Sequence, residues 1–242
     1  MRRRALIGSS ILGLGTPRLA SLALATTRGV TEIVTSDQCP YAMAQGPEPD
    51  FVLTLSAELF LMLGLQVVYR FLPWPEAEAR GQSRTAVAIM PIRRTPPEDD
   101  LYIWALTLFD DPSAFGTLGA PAPDTRDAAR RLPHIAVIAN STPNGYLREQ
   151  GFSELLPGGS PAEAAAALHE GRAAAWFSGV PTLRTGLNVI RIGRPIFENP
   201  VWLALNRTTD DIMLPTLQDA YAALEADGSI DEMLRPFLGR PA

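Results

Sequence analysis

From Val30 to Ser36 the stretch VTEIVTS alternates apolar with polar residues and ends in the polar turn DQCPY. That two-residue period predicts a strand covered on one face. FVLTLSAELFLMLG, Phe51 to Gly64, carries apolar residues at helical spacing and stops on a glycine, which predicts a helix. LQVVYRFL, Leu65 to Leu72, is β-branched and closed by Pro73, so it reads as a second strand. Strand, helix and strand within about 40 residues form a βαβ unit, which requires a parallel pair. TAVAIMPI follows as an apolar strand with no polar face, as expected where a sheet is covered on both sides.

Pro and Gly punctuation in GTLGAPAPDT, Gly116 to Thr125, reads as a connection into a second α/β block. Ile135 to Ala139 predicts a strand, and a helix begins near Thr142 or Pro143. In SPAEAAAALHEGR, Ser160 is placed to cap a helix, Pro161 to start it and Gly171 to end it. AAAWFSG, NVIRIG and NPVWLALN predict further strands. A long helix, DIMLPTLQDAYAALEADG, and a short one, SIDEMLRPFLG, complete the chain and are expected to pack back on its first half. The fold class is therefore α/β, with two similar blocks in tandem.

Composition narrows the chemistry. All 21 basic residues are arginine, which excludes Schiff-base lysine chemistry and a phosphate-loop lysine. Residues 1–25 have the layout of an export segment: Arg2 to Arg4, a short apolar stretch, and the small residues Ala23 to Ala25. Arg3-Arg4 ahead of that stretch is compatible with a twin-arginine signal or with the general route. Its removal takes away four arginines and no acid, moving the net charge from −5 to −9. So acidic a chain is a poor nucleic-acid binder, and its expected destination is the periplasm, as a soluble monomer. The single cysteine, Cys39, cannot form an internal disulfide and is expected to be a small buried residue beside a turn. His134 and His169 lack partner spacing, so neither a metal site nor a cofactor is expected, and no catalytic residue is assigned. The pairs Asp110-Asp111 and Asp210-Asp211 are expected to cap elements or lie exposed.

Two groups could hold an anion. Arg93 and Arg94 end the apolar strand, and a guanidinium presents a planar fork of donors suited to a carboxylate or phosphate. Neighbouring strand residues face opposite sides, so at most one of the two reaches a common cleft, with Arg93 favoured. The alternative is a surface ion pair with Glu98, Asp99 or Asp100. In the second block Asn140, Ser141 and Thr142 lead into a helix N-terminus, where backbone N–H groups and the helix dipole favour negative charge. Tyr41 and Trp74 follow strands and could wall a ring or an apolar moiety, whereas Trp104, Trp176 and Trp202 read as core.

Taken in order, CPY after the first strand, LGLQVVYRFLPW, RRTPPEDDLYIW, the NST turn, LHEGRAAAWFSG and LEADGSIDEMLRPFLG resemble the family-3 periplasmic solute-binding proteins over Val30 to Gly239. The resemblance implies a two-lobed type II periplasmic binding-protein fold, each lobe a mostly parallel sheet flanked by helices, with the ligand cleft between them. It implies one lobe from 26–110 plus 197–242 and another from 111–196, with crossings near Asp110 to Ser113 and Pro195 to Pro200. The candidate ligand residues are then Asp37, Tyr41, Trp74, Arg93, Arg94, Thr95, Asn140, Ser141, Thr142 and Ser178. The pattern departs from amino-acid binders of the family at three places. Glu98 or Asp99 stands where the carboxylate-holding arginine belongs, Gly179 where an ammonium-holding aspartate belongs, and Thr35 at the first-strand carboxylate. The implied function is an exported receptor that closes on a small anionic or aromatic solute and delivers it to the inner-membrane permease of an ABC transporter or to a sensor protein. Alternatives are a degenerate relative serving as an accessory or sensor partner, and a dehydratase-like enzyme on the same scaffold using Asp37 or Glu198.

Overall fold

Residues 30–45, 50–186, 190–209 and 212–238 are described by a computed structural model of the chain. The export segment and Asp210-Asp211 lie outside them. The first half contains β1 (Glu32–Thr35), α1 (Phe51–Met62), β2 (Val68–Phe71), α2 (Trp74–Ser83) and β3 (Val87–Arg93). A single 3-10 turn, Pro96–Glu98, leads into β4 (Tyr102–Leu118). The second half contains α3 (Arg126–Ala129), β5 (Ile135–Ile138), α4 (Thr142–Glu149), β6 (Leu155–Gly158), α5 (Pro161–His169), β7 (Ala175–Gly179), α6 (Val180–Gly186) and β8 (Ile190–Ile192). The chain returns through β9 (Phe197–Asn206) and ends in α7 (Met213–Ala226) and α8 (Ser229–Leu238).

The expected βαβ unit is present: β1 pairs in parallel with both β2 and β3. The described strands form one sheet in the order β2-β1-β3-β9-β4-β7-β5-β6, with β8 beside β4. Two strands carry the chain from one half to the other. β4 runs antiparallel to β9 from Tyr102 to Ser113 and continues against β7 and β8 to Leu118. The connection expected over Gly116 to Thr125 is thus overturned at its start, since Gly116, Thr117 and Leu118 are ladder residues. Gly116 is tolerated there because its backbone pairs on both edges, with Trp176 and with Ile192.

Two cores sit on either side of this crossing, each covering both faces of its part of the sheet. In the first half, Ile33, Leu55, Leu59, Ala88, Met90, Leu108 and Leu217 fill one face. Val34, Ala77, Val87, Ile89, Ile92 and Tyr102 fill the other. In the second half Trp176 and Leu183 lie with α5, and Phe115, Ile135, Leu147 and Phe177 lie on the opposite side. Double coverage is why β3 reads as an unbroken apolar run. The C-terminal helices do pack back on the first half: Phe237 of α8 lies 5.6 Å from Phe51 of α1, ring to ring.

Local rules account for several boundaries. Ser160 caps α5 by accepting from Glu163 N, Pro161 occupies the first helical position, and Gly171 follows the helix at φ +71°. Gly64, at φ +66°, plays the same role beyond α1. α2, β4, α3, β6 and α6 carry no sequence-based expectation. α2 starts at Trp74-Pro75 and keeps only Ala77 and Gly81 buried.

Candidate functional site at the strand crossing

β3 would place alternate residues on alternate faces throughout, but its register with β9 shifts between Ile89 and Ile92. Pro91 lies inside that bulge, and having no N–H to give a ladder it is tolerated there. The shift puts Ile92 on the same face as Ile89, so Arg93 falls on the face of Met90 and Arg94 on the other. A one-residue slip of this kind reverses every side chain beyond it.

Arg93, with its side chain 25 % exposed, turns into the crossing. Its Nη2 donates to Asp111 Oδ2 at 2.7 Å and its Nη1 to the carbonyl of Asn199 at 3.1 Å. Its guanidinium lies 5.5 Å over the Tyr41 ring. Asp111 is 2 % exposed and stands directly opposite Asn199 in the ladder. Tyr41 OH donates to the same Asp111 Oδ2 at 2.9 Å and lies 3.3 Å from the Thr182 hydroxyl of α6. The Tyr41 ring is held by Phe109, 6.1 Å away, and by Phe237, 5.5 Å away. Burial pushes the Asp111 carboxyl up, against the opposing pull of Arg93 and of the Tyr41 hydrogen bond. Burial and the Asp111 charge likewise push the Tyr41 hydroxyl up, so it remains a donor.

Gly179, the last residue of β7, makes room for this cluster. A Cβ there would meet Tyr41 OH at 2.5 Å and the Asp111 oxygens at 2.7 and 2.8 Å. Three buried polar atoms on this face make no hydrogen bond among the described residues: Asp111 Oδ1, Ser113 Oγ and Asn199 Nδ2.

Of the sequence-derived candidates, Tyr41 and Arg93 meet here. Arg94 lies on the opposite face, pairs with Asp99 at 2.6 Å, and stacks 5.5 Å and 5.8 Å from the Trp104 and Trp202 rings. Trp74 belongs to that same tryptophan face, so Trp104 and Trp202 are half-buried supports for Arg94 rather than full core; Trp176 is fully buried. Thr95 donates to Glu98 at 2.5 Å. Asp37 is exposed and accepts from Ala44 N at 3.4 Å. Ser141 spends its hydroxyl on its own turn, donating to Ile138 O and accepting from Asn144 N as the cap of α4. Asn140 precedes it at φ +57°, and Thr142 opens the helix. Ser178 is buried beside Gly179 and faces the other side of β7.

Two expectations are corrected. Asp111 neither caps an element nor lies exposed, because it sits mid-strand where every second residue faces inward. Cys39 is exposed, because Pro40 and Tyr41 take the buried positions of that turn. Sequence reasoning missed Asp111, Thr182 and Asn199. The usable signal was the Asp110-Asp111 pair inside an aromatic-rich strand, where alternation forces one carboxylate inward.

Among the described residues no group of three or more His, Cys, Asp or Glu is placed to hold a metal ion, and no helix is long and apolar enough to cross a membrane. No family model matches the sequence, and no curated protein matches it. Solved structures do match. An ancestral cationic amino acid solute-binding protein superimposes with a TM-score of 0.74 at 18% identity, covering 87% of this chain and 96% of that one. A histidine kinase sensor domain with similarity to periplasmic binding proteins gives 0.71 at 18%, covering 88% and 97%. The GluR0 ligand-binding core from Nostoc punctiforme, in complex with L-glutamate, gives 0.69 at 18%, covering 86% and 98%. The chain therefore has the two-lobed type II periplasmic binding-protein fold, shared with structural neighbours that are mostly family-3 amino-acid binding proteins.

Proposed function

We propose that the chain is an exported solute-binding receptor, cleaved after about residue 25, that captures a small anionic solute by closure of two lobes, 26–110 with 197–242 and 111–196. The observation that carries this reading is the convergence at the crossing: Tyr41 and Arg93 arrive from one half, Thr182 and Gly179 from the other. A ligand reaching both halves only when they are shut favours the closed state by that difference in contacts. Arg93 supplies the cation, and the N-terminus of α4 supplies backbone amide donors and the Thr142 hydroxyl from the second half. The receptor would serve an ABC-type permease or a sensor, since the structural neighbours include substrate-binding domains of amino acid ABC transporters and a kinase sensor domain.

Thermal unfolding against a panel of small carboxylates and phosphates tests the reading. A ligand at about 100 times its Kd stabilises by about 2.7 kcal/mol, a rise of roughly 5–10 °C for a chain of this size. Arg93→Ala combined with Thr142→Ala should abolish that rise, and retention of it in the double variant would remove the proposed site. A second reading is favoured by one observation: Arg93 is already answered by Asp111. If no small anion stabilises the wild type, the chain is better read as a degenerate relative that engages a partner protein. Turnover of a stabilising ligand would instead reveal an enzyme.

A further inference from the structure

Tyr41 reaches across the halves with a rigid side chain. Its ring is packed by Phe109 of β4 and Phe237 of α8, in the first core, while its hydroxyl lies against Thr182 of α6, in the second half. That hydroxyl also donates to Asp111, and Asp111 in turn holds Arg93. The result is one polar chain, Arg93 to Asp111 to Tyr41 to Thr182, running from the end of β3 to α6. The cation is thus met by a carboxylate of its own chain, and the space this needs exists because residue 179 has no side chain.

We infer that this polar chain is an internal latch: with no solute bound, Asp111 occupies Arg93 and Tyr41 engages Thr182, so the two halves rest shut, and an incoming acid must compete with Asp111 for the guanidinium. The inference rests on the two-lobed receptor reading for its meaning but not for its test. A carboxylate beside a guanidinium makes the same short, charge-assisted contact whether it belongs to a ligand or to the protein. An intramolecular carboxylate already positioned by a strand meets the arginine without the loss of translational freedom that a free solute suffers. Closure without ligand is then the expected ground state.

The test uses the full chain, unfolded and refolded to strip any bound solute. Small-angle scattering should match the closed arrangement for the wild type. Tyr41→Phe keeps the packed ring and removes the hydroxyl; Thr182→Val keeps the volume and removes only the partner. Each should expand the scattering profile and speed amide exchange in residues 36–45 and 180–185 by roughly five- to tenfold, the population change that one net hydrogen bond supports. Tyr221→Phe, which loses a hydrogen bond to Leu108 O remote from the second half, should leave both readouts unchanged. An open scattering profile for the stripped wild type, or wild-type exchange in both Tyr41→Phe and Thr182→Val, would overturn the latch. Neither result bears on whether an anion stabilises the protein, so the receptor reading stands or falls separately.

Discussion

A single missing methyl group governs the crossing. Gly179 has no positive φ and needs none; its role is space, because a Cβ would stand 2.5 Å from the Tyr41 hydroxyl and 2.7 Å from Asp111. Neither neighbour yields easily, one being a ring wedged between two phenylalanines and the other a carboxylate fixed in a ladder and paired with Arg93. Gly179→Ala should therefore destabilise the fold by about 1–3 kcal/mol, the ordinary cost of overpacking, and the urea midpoint would read it. The companion Gly179→Ala/Tyr41→Phe should recover part of that loss by removing the nearest atom. An unchanged midpoint in the single variant would mean the cluster yields freely. The sequence marks Gly179 only as a departure from the family pattern, and the reason is invisible there because the atoms filling its space come from positions 68 and 138 residues away.

At the scale of elements, what sequence shows depends on how local the cause is. Caps, helix ends and the βαβ order were legible because Ser160, Pro161, Gly171 and Gly64 act on their own turns. The reach of β4 to Leu118 was not, because Gly116 and Pro112 look like breakers until their ladder partners are known. The choice between Arg93 and Arg94 was half legible: alternation separates them, but the bulge at Pro91 decides which one turns inward. Other joints depend on charge. Glu32 of β1 receives Arg70 of β2 at 2.8 Å and also Arg80 of α2, tying the sheet's outer strands to a helix with little buried surface. Those two arginines hold its carboxyl down at about 2. A depressed acid contributes stability that is present above its unfolded value, about 4.3, and is lost as pH falls from there toward 2. Urea midpoints should therefore decline over that window in the wild type, and Glu32→Gln should lower the neutral-pH midpoint while flattening this part of the decline. The C-terminal helix offers a parallel case through packing. Phe237 touches the rings of Phe51, Phe109 and Tyr41. Being half-buried, its loss in Phe237→Ala should cost about 2 kcal/mol rather than the full value for a core phenylalanine.

The whole molecule is divided in its cores and undivided in its sheet. Hydrophobic packing alone would let the halves unfold separately, since Leu55, Leu59 and Leu217 share no cluster with Trp176 or Phe177. Against this, β4 serves both: it lies beside β9 over the first core and beside β7 and β8 over the second, with no break between Phe109 and Gly116. Fraying either half therefore strips ladder partners from a strand that the other half still needs. Burying Asp111, Ser113 and Asn199 at that point adds a further condition, because these polar groups are tolerable only while the strands around them stay in register. We expect a single cooperative transition. Native-state amide exchange in urea should give Ile89 of β3 and Phe177 of β7 the same global free energy, and the two should converge with increasing denaturant. Ser113→Pro, which inserts a residue unable to donate to the ladder, should break the coupling and let the β7 amide exchange through a lower opening while Ile89 keeps its protection. Two distinct free energies in the wild type would mean that the crossing strands act as a flexible tether and that each core stands on its own.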